Sequence, residues 1–183
     1  QTPHIHIYNE IEPSKKQPIA FYEEAKNSFK VVHSLKPKQS QKKIHNALPI
    51  VKYLNNDKRV KGAIAQIKAQ IFYIAGSIEL GGNLTGIQTL EEARLFNFQN
   101  YIVKGSHEDL DKIDNGILIG SGVANKMSLD VGDRVQISTI KGDVFPLKIV
   151  GIYQSGLADL DAVQSFANIK TVQRILGEAE NYI

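Results

Sequence analysis

The chain contains no cysteine and no tryptophan, and only one methionine among its 183 residues. Without cysteine there is no disulfide framework, no thiol nucleophile and no Cys-ligated metal site. Long apolar runs are missing too. The longest strongly apolar stretch is Ile71-Phe72-Tyr73-Ile74-Ala75, whereas a membrane-spanning helix needs roughly 20 apolar residues. Charge is close to balanced, at a net +3, too weak a basic excess to imply nucleic acid. No G-K-[ST] follows a glycine-rich loop. Gly120-Ser121-Gly122 lacks the third glycine of a dinucleotide fingerprint, because Asn125 stands there. No G-x-S-x-G occurs, and His33, His45 and His107 lie in polar surroundings without a serine partner. Neither nucleotide chemistry nor serine hydrolysis has its residues here.

What is present is an ordinary globular composition, 42% apolar and 22% charged. Periodicity gives the elements. Residues 4–8 alternate and read as a strand. A helix is expected over 19–29. Ser40 is expected to cap a helix carrying Ile44, Ala47, Leu48, Val51 and Leu54, with Pro49 as a kink or a new start. Ala65, Ile67, Ala69, Ile71 and Tyr73 alternate with polar residues, the clearest strand in the chain. It is expected to run on through Gly76 towards Glu79, with a turn at Gly81-Gly82-Asn83 and a return strand at 84–87. Thr89 and Glu92 have the spacing of a capping box on a helix over 89–96.

Further strands are expected at 116–119, 134–140, 144–153 and 162–167. Lys141-Gly142-Asp143 makes a hairpin turn. Asn168 is expected to cap a helix over 170–176 that Gly177 stops. Residues 181–183 are expected to begin another strand.

Several groups could carry chemistry. His4-x-His6 puts two imidazoles on one strand face, but a third ligand is missing, so no metal is assigned. Glu108, Asp109, Asp111 and Asp114 lack the order of a calcium loop and read as turn residues. Asp159 and Asp161 could serve acid–base chemistry only inside a cleft. Side-chain bonds that hold the loop are the favoured role for this pair. Nine Lys and Arg residues between 30 and 61 face only Asp57. They read as a solvated face, ahead of an anionic lipid or acidic partner surface. No cofactor is implied.

Gly120 to Asp133, GSGVANKMSLDVGD, sits between the apolar segments 116–119 and 135–138. It reads as strand, short helix, tight turn, strand, with Ser121 as helix cap, Val123, Ala124 and Met127 on one face, and Gly132 free to take positive φ. This order resembles the extracytoplasmic domains of ABC-transporter permeases of the MacB, lipoprotein-releasing (Lol) and FtsX-like superfamily. Gly86-Ile87, Val103-Lys104-Gly105, the segment from Ile149 to Gly156, and Asp161 with the residues up to Ile169 follow in the family's order.

The resemblance implies an α+β fold. A split βαβ "porter" lobe, residues 1–81 and 157–183, would be interrupted by a mostly β lobe, residues 82–156. It implies a non-catalytic domain outside the bacterial inner membrane that couples cytoplasmic ATP hydrolysis to the handling of a substrate or partner. The implied partners are a cytoplasmic ABC ATPase reached through membrane helices, a second permease copy or homologue, and a lipoprotein or periplasmic carrier, with no nucleic acid. The opening on Gln1 rather than Met adds the expectation that the piece was cut from between such helices.

In the carrier-recruiting subunit of that superfamily, the hairpin after the V-G-D strand is a long hook. Here it is short, which counts against direct carrier recruitment. Its tip residues Ile140, Lys141, Asp143 and Val144 are the expected partner contacts, an apolar pair flanking a charged turn. The alternative is that they pack inward. Two other functions stay open at this point: a freestanding interaction module, and a hydrolase with a shallow carboxylate site at Asp159 and Asp161.

Overall fold

The computed structural model describes residues 5–8, 44 and 46–178. Contacts divide the chain into a unit of residues 1–44 and a unit of residues 45–183. In the first, residues 5–8 are exposed and form no strand, contrary to expectation, so alternation alone did not suffice there. The helix expected over 19–29, the Ser40 cap, His4 and the strand at 181–183 lie outside the described residues.

The second unit begins with helix α1, Ala47–Asn55. Pro49 falls in its first turn, where backbone N–H groups have no helical partner and a proline costs little. Strands β1 (Ile67–Ala75) and β2 (Ile78–Ile87) follow as an antiparallel hairpin. The expected continuation past Gly76 does not occur. Gly76, at φ 62°, and Ser77 reverse the chain at once.

Nor do Gly81 and Gly82 form a turn. Both lie inside β2, opposite Phe72 and Ile71. A Cβ on Gly82 would collide with the Tyr73 ring and lie 2.9 Å from the Val163 carbonyl oxygen. That glycine marks close packing within a strand, not a chain reversal.

Helix α2 (Thr89–Phe96) has the expected bounds but no capping box. The Thr89 hydroxyl donates instead to Asp111, and Glu92 accepts from Gln66. A short 3-10 helix (Phe98–Tyr101), strand β3 (Ile102–Gly105) and helix α3 (Asp109–Lys112) lead to β4 (Gly116–Gly120) and α4 (Ser121–Met127). The cap position of α4 is Gly120, with Ser121 already inside the helix, so the Ser121 cap is corrected.

Strands β5 (Arg134–Thr139) and β6 (Val144–Tyr153) form the next hairpin. The strand expected at 162–167 is present as β7 (Gln164–Asn168), preceded by helix α5 (Ala158–Asp161). Helix α6 (Ile169–Leu176) closes the unit. Asn168 caps it by accepting from the Lys170 N–H, as expected. At its other end Gly177 is left-handed and the Glu178 N–H reaches the Gln173 carbonyl, a Schellman ending.

The pairings run β6-β4-β7-β2-β1-β5 and then return from β5 to β6, so six strands close into a ring. β3 adds to β6. Closure removes most open strand edges. The ring draws strands from both sides of Gly82 and of Gly156. The α+β class holds, as a strand ring with helices laid on it.

Alternation fills the interior. Ile71, Tyr73, Leu84, Ile117, Ile119, Ile137, Leu147 and Ile149 are fully or almost fully buried and share one core with Val123 of α4 and Val172 of α6. β4 is buried on both faces, because Leu118 points the other way. It joins Ile87, Phe98, Leu110 and Val150 in a second cluster. Phe166 packs edge-on against both Phe98 and Tyr153.

Candidate functional site

Two places carry the residues singled out from the sequence. The first is the β5–β6 hairpin. Its turn is held by the Thr139 N–H on the Asp143 carbonyl at 3.0 Å and the Gly142 N–H on the Thr139 carbonyl at 2.9 Å. Gly142 has φ 90°, a conformation that favours glycine. Ile140 is 71% exposed and Val144 50%. The apolar pair therefore projects outward, not into the core. Lys141 Nζ lies 3.5 Å from the Leu176 carbonyl oxygen, at the C-terminal end of α6 where a cation is favoured. Asp143 is exposed and in no ion pair among the described residues.

The second place is the module from β4 to β5. Val123, Ala124 and Met127 are buried on one face of α4, as their spacing predicts. Gly132 has φ 99°, and its N–H donates to the Ile149 carbonyl at 2.8 Å. The Asp133 carboxylate accepts from the Asp130 N–H at 2.8 Å, and its carbonyl accepts from the Ile149 N–H. The V-G-D turn is thereby tied to the middle of β6.

Gly120 and Gly122 have a steric purpose. A Cβ on Gly120 would collide with the Asp161 carbonyl, and one on Gly122 would lie 2.7 Å from the Ala162 Cα. The glycines let α5 back directly onto the start of α4. No phosphate loop is needed to explain them.

Asp161 is 4% exposed. Its Oδ1 accepts from the Ser155 N–H at 2.8 Å and from the Ser155 hydroxyl at 2.7 Å. Asp159 is exposed. The two carboxylates do not form an acid–base pair, and Asp161 holds the 155–161 loop, the role favoured from sequence. Its negative charge also helps burial to push the Tyr153 hydroxyl pKa upward.

Sequence reasoning missed three features. Lys104 Nζ and Asp130 Oδ2 pair at 2.8 Å, and both line an open cavity of about 520 Å³ with Ser121, Asn125 and Leu129. The Lys104 ammonium, with the Val131 N–H, holds the Asp130 carboxyl below its usual range. Asp111 gathers bonds from Thr89 and Asn168, linking α2, α3 and the start of α6. Glu92 is buried, with one oxygen accepting from Gln66 at 3.0 Å and the other without a partner. All three partnerships span more than 20 residues, so no local spacing announces them.

Of the other singled-out groups, His6 is exposed. Among the described residues no three His, Cys, Asp or Glu side chains could hold a metal. Glu108 and Asp109 pair with Lys112. Lys52, Lys58, Arg59 and Lys61 are exposed, and Arg59 pairs with Asp57 at 2.7 Å. The rest of the basic run lies outside the described residues. No helix among them is long and apolar enough to cross a membrane.

The strand ring thus has Gly120, Gly122 and Asp161 occupied in packing and an apolar hairpin tip facing solvent. By the match of residues 20–183 to the family model described as the MacB-like periplasmic core domain, the chain belongs to that family. It is a periplasmic core domain related to those of MacB- and Lol-type ABC-transporter permeases.

The chain is 24% identical over 131 residues to the lipoprotein-releasing system transmembrane protein LolC of Neisseria meningitidis serogroup B. That match covers 66% of this chain and 31% of the relative, so the chain spans about a third of that protein's length. Its fold is similar to the extracellular domain of the noncanonic ABC-type transporter YknZ from Gram-positive bacteria. There the TM-score is 0.56 at 13% identity, covering 76% of this chain and 70% of that one. It is also similar to the periplasmic region of MacB from Actinobacillus actinomycetemcomitans. There the TM-score is 0.53 at 12% identity, covering 74% and 60%. At those identities the likeness concerns the fold.

Proposed function

We propose that the chain is the extracytoplasmic part of an inner-membrane permease that couples cytoplasmic ATP hydrolysis to the release or export of a substrate. The family match over 164 of the 183 residues, 20 to 183 inclusive, carries this reading. The domain works as a rigid body moved by membrane helices, with a surface that prefers its partner in one state. Its partners are a cytoplasmic ABC ATPase, a second copy or homologue of the permease, and a lipoprotein or periplasmic carrier. The similarity to a lipoprotein-releasing subunit favours a lipoprotein as cargo. The parent reading frame tests this. Apolar segments of roughly 20 residues on both sides of the chain support it, and polar flanks would leave a freestanding module instead.

Within that role, Ile140, Lys141, Asp143 and Val144 form the contact tip. Their support is the outward projection of Ile140 and Val144 on a turn pinned by two backbone bonds. A photo-cross-linker at position 140 of the parent permease, in its native membrane, tests it. Mass-spectrometric identification of a lipoprotein, carrier or partner permease supports the tip. Capture only at a control position on α1 removes it.

A further inference from the structure

The outer face of the β1–β5–β6 ribbon has a pattern that the ring itself does not use. Inward positions of these strands, among them Ile71, Tyr73, Val135, Ile137 and Leu147, are buried. The outward positions fall into rows set by the register. Arg134 stands directly opposite Lys148. Next comes Gln136, with Pro146 on one side and Ile74 on the other. Then comes Ser138, between Val144 and Phe72. Ile140 follows at the tip.

Two features of this face work against the isolated domain. Like charges directly opposite each other weaken a strand pair. Arg134 and Lys148 keep that arrangement with no carboxylate in an ion pair with either, since the paired cations among the described residues are Arg59, Arg94, Lys104 and Lys112. Beside them, Phe72 is 46% exposed, in line with Val144 and Ile140. Uncompensated cations at one end and an apolar strip at the other are complementary to a chain with the opposite charge and matching apolar side chains. The cation row and the Ser138 row are four residues apart along β5, about 13 Å, and Ile140 lies two residues further, a total of about 20 Å that an extended segment of about seven residues covers.

Resting on the hairpin reading above, we propose that this face docks an extended acidic segment of a protein partner. Its carboxylates meet Arg134 and Lys148, and its apolar side chains lie on Phe72, Val144 and Ile140. The strand-row spacing selects a peptide over a lipid surface. An extended segment repeats every second residue, in step with the rows at 134, 136 and 138, a register that a bilayer does not have, and Lys141 at the tip offers a further cation to its carboxylates.

The test is an NMR titration of the full 183-residue chain with two capped peptides of equal length. One carries two Glu followed by alternating Leu and Ser, and the other has Lys in place of Glu. The Glu peptide is expected to shift amide signals at 72, 134–138 and 144–148. The double variant R134E/K148E should weaken it by about tenfold, because two charge pairs worth up to about 1 kcal/mol each are reversed. The Lys peptide should then bind the variant better than the original chain. Both substitutions lie at exposed positions, and an unchanged melting temperature checks the fold.

Equal response to both peptides overturns the proposal. So do shifts confined to another surface, or a response to phosphatidylglycerol vesicles but not to the Glu peptide. If the cross-linker at 140 still captures its partner unchanged in R134E/K148E, the acidic-segment proposal falls while the hairpin reading stands. If the Glu peptide binds as expected but position 140 captures nothing, the hairpin reading falls instead.

Discussion

Asp161 accepts two hydrogen bonds from one residue, the N–H and the hydroxyl of Ser155, at 2.8 and 2.7 Å. The pair closes the loop of residues 155–161, and the Asp161 carbonyl lies close against Gly120. The strand end, the short helix and the module with the V-G-D turn are thus fastened together by a carboxylate that could have been taken for a catalytic one.

Removing that carboxylate leaves the Ser155 donors without their acceptor in a half-buried loop. Asp161→Ala should lower stability by about 2–4 kcal/mol, while Ser155→Ala, which keeps the backbone bond, should cost about 1 kcal/mol. Urea denaturation of the two variants beside the original chain measures both. Equal, small losses would show that the loop is held by other contacts.

The two neighbouring glycines of β2 should respond in opposite ways. A Cβ on Gly82 meets the Tyr73 ring and the Val163 carbonyl, so Gly82→Ala should cost about 1–3 kcal/mol. A Cβ on Gly81 meets only a Phe72 ring atom at 4.0 Å, and its backbone is not left-handed. Gly81→Ala should be neutral or stabilising by up to about 1 kcal/mol. Thermal melts of both variants decide the matter. A costly Gly81→Ala would contradict the packing described.

Glu92 supplies a pH dependence. Burial raises its pKa, and the bond from Gln66 offsets part of that rise. No charged neighbour contributes. Because the folded pKa lies above the unfolded one, this residue's contribution is fully present below the unfolded carboxylate pKa. It is lost as pH climbs through the raised value. Stability measured by denaturation from acidic to neutral pH should therefore carry a falling component, and Glu92→Gln should flatten it. An unchanged slope in the variant would assign the dependence elsewhere.

The hairpin tip should be separable from stability. Ile140 and Val144 project into solvent, so Ile140→Ser with Val144→Ser should change folding stability by no more than about 0.5 kcal/mol per site. The same variant should reduce cross-linking through Lys141 in the parent permease. A large loss of stability would mean that the tip packs inward after all.

Much of this domain was legible locally. The alternation of β1, the burial of Val123, Ala124 and Met127, the Asn168 cap, the left-handed Gly132 and Gly177 and the turn at 141–143 each depend on a few adjacent residues. Backbone sterics and side-chain reach act at that range, so the sequence alone determined them, and with them the motif order that marks the family.

Tertiary structure decided the rest. Gly81 and Gly82 look like a turn until the Tyr73 ring is placed against the second of them. Thr89 and Glu92 have the spacing of a cap, but Asp111 and Gln66, distant in sequence, offer better-placed partners. Gly120-Ser121-Gly122 is explained only by the arrival of α5. The closure of six strands into a ring fixes which side chains face outward, and so sets Arg134 against Lys148 beside an apolar strip. These outcomes turn on which remote segment packs where, a competition among long-range contacts that local spacing does not encode.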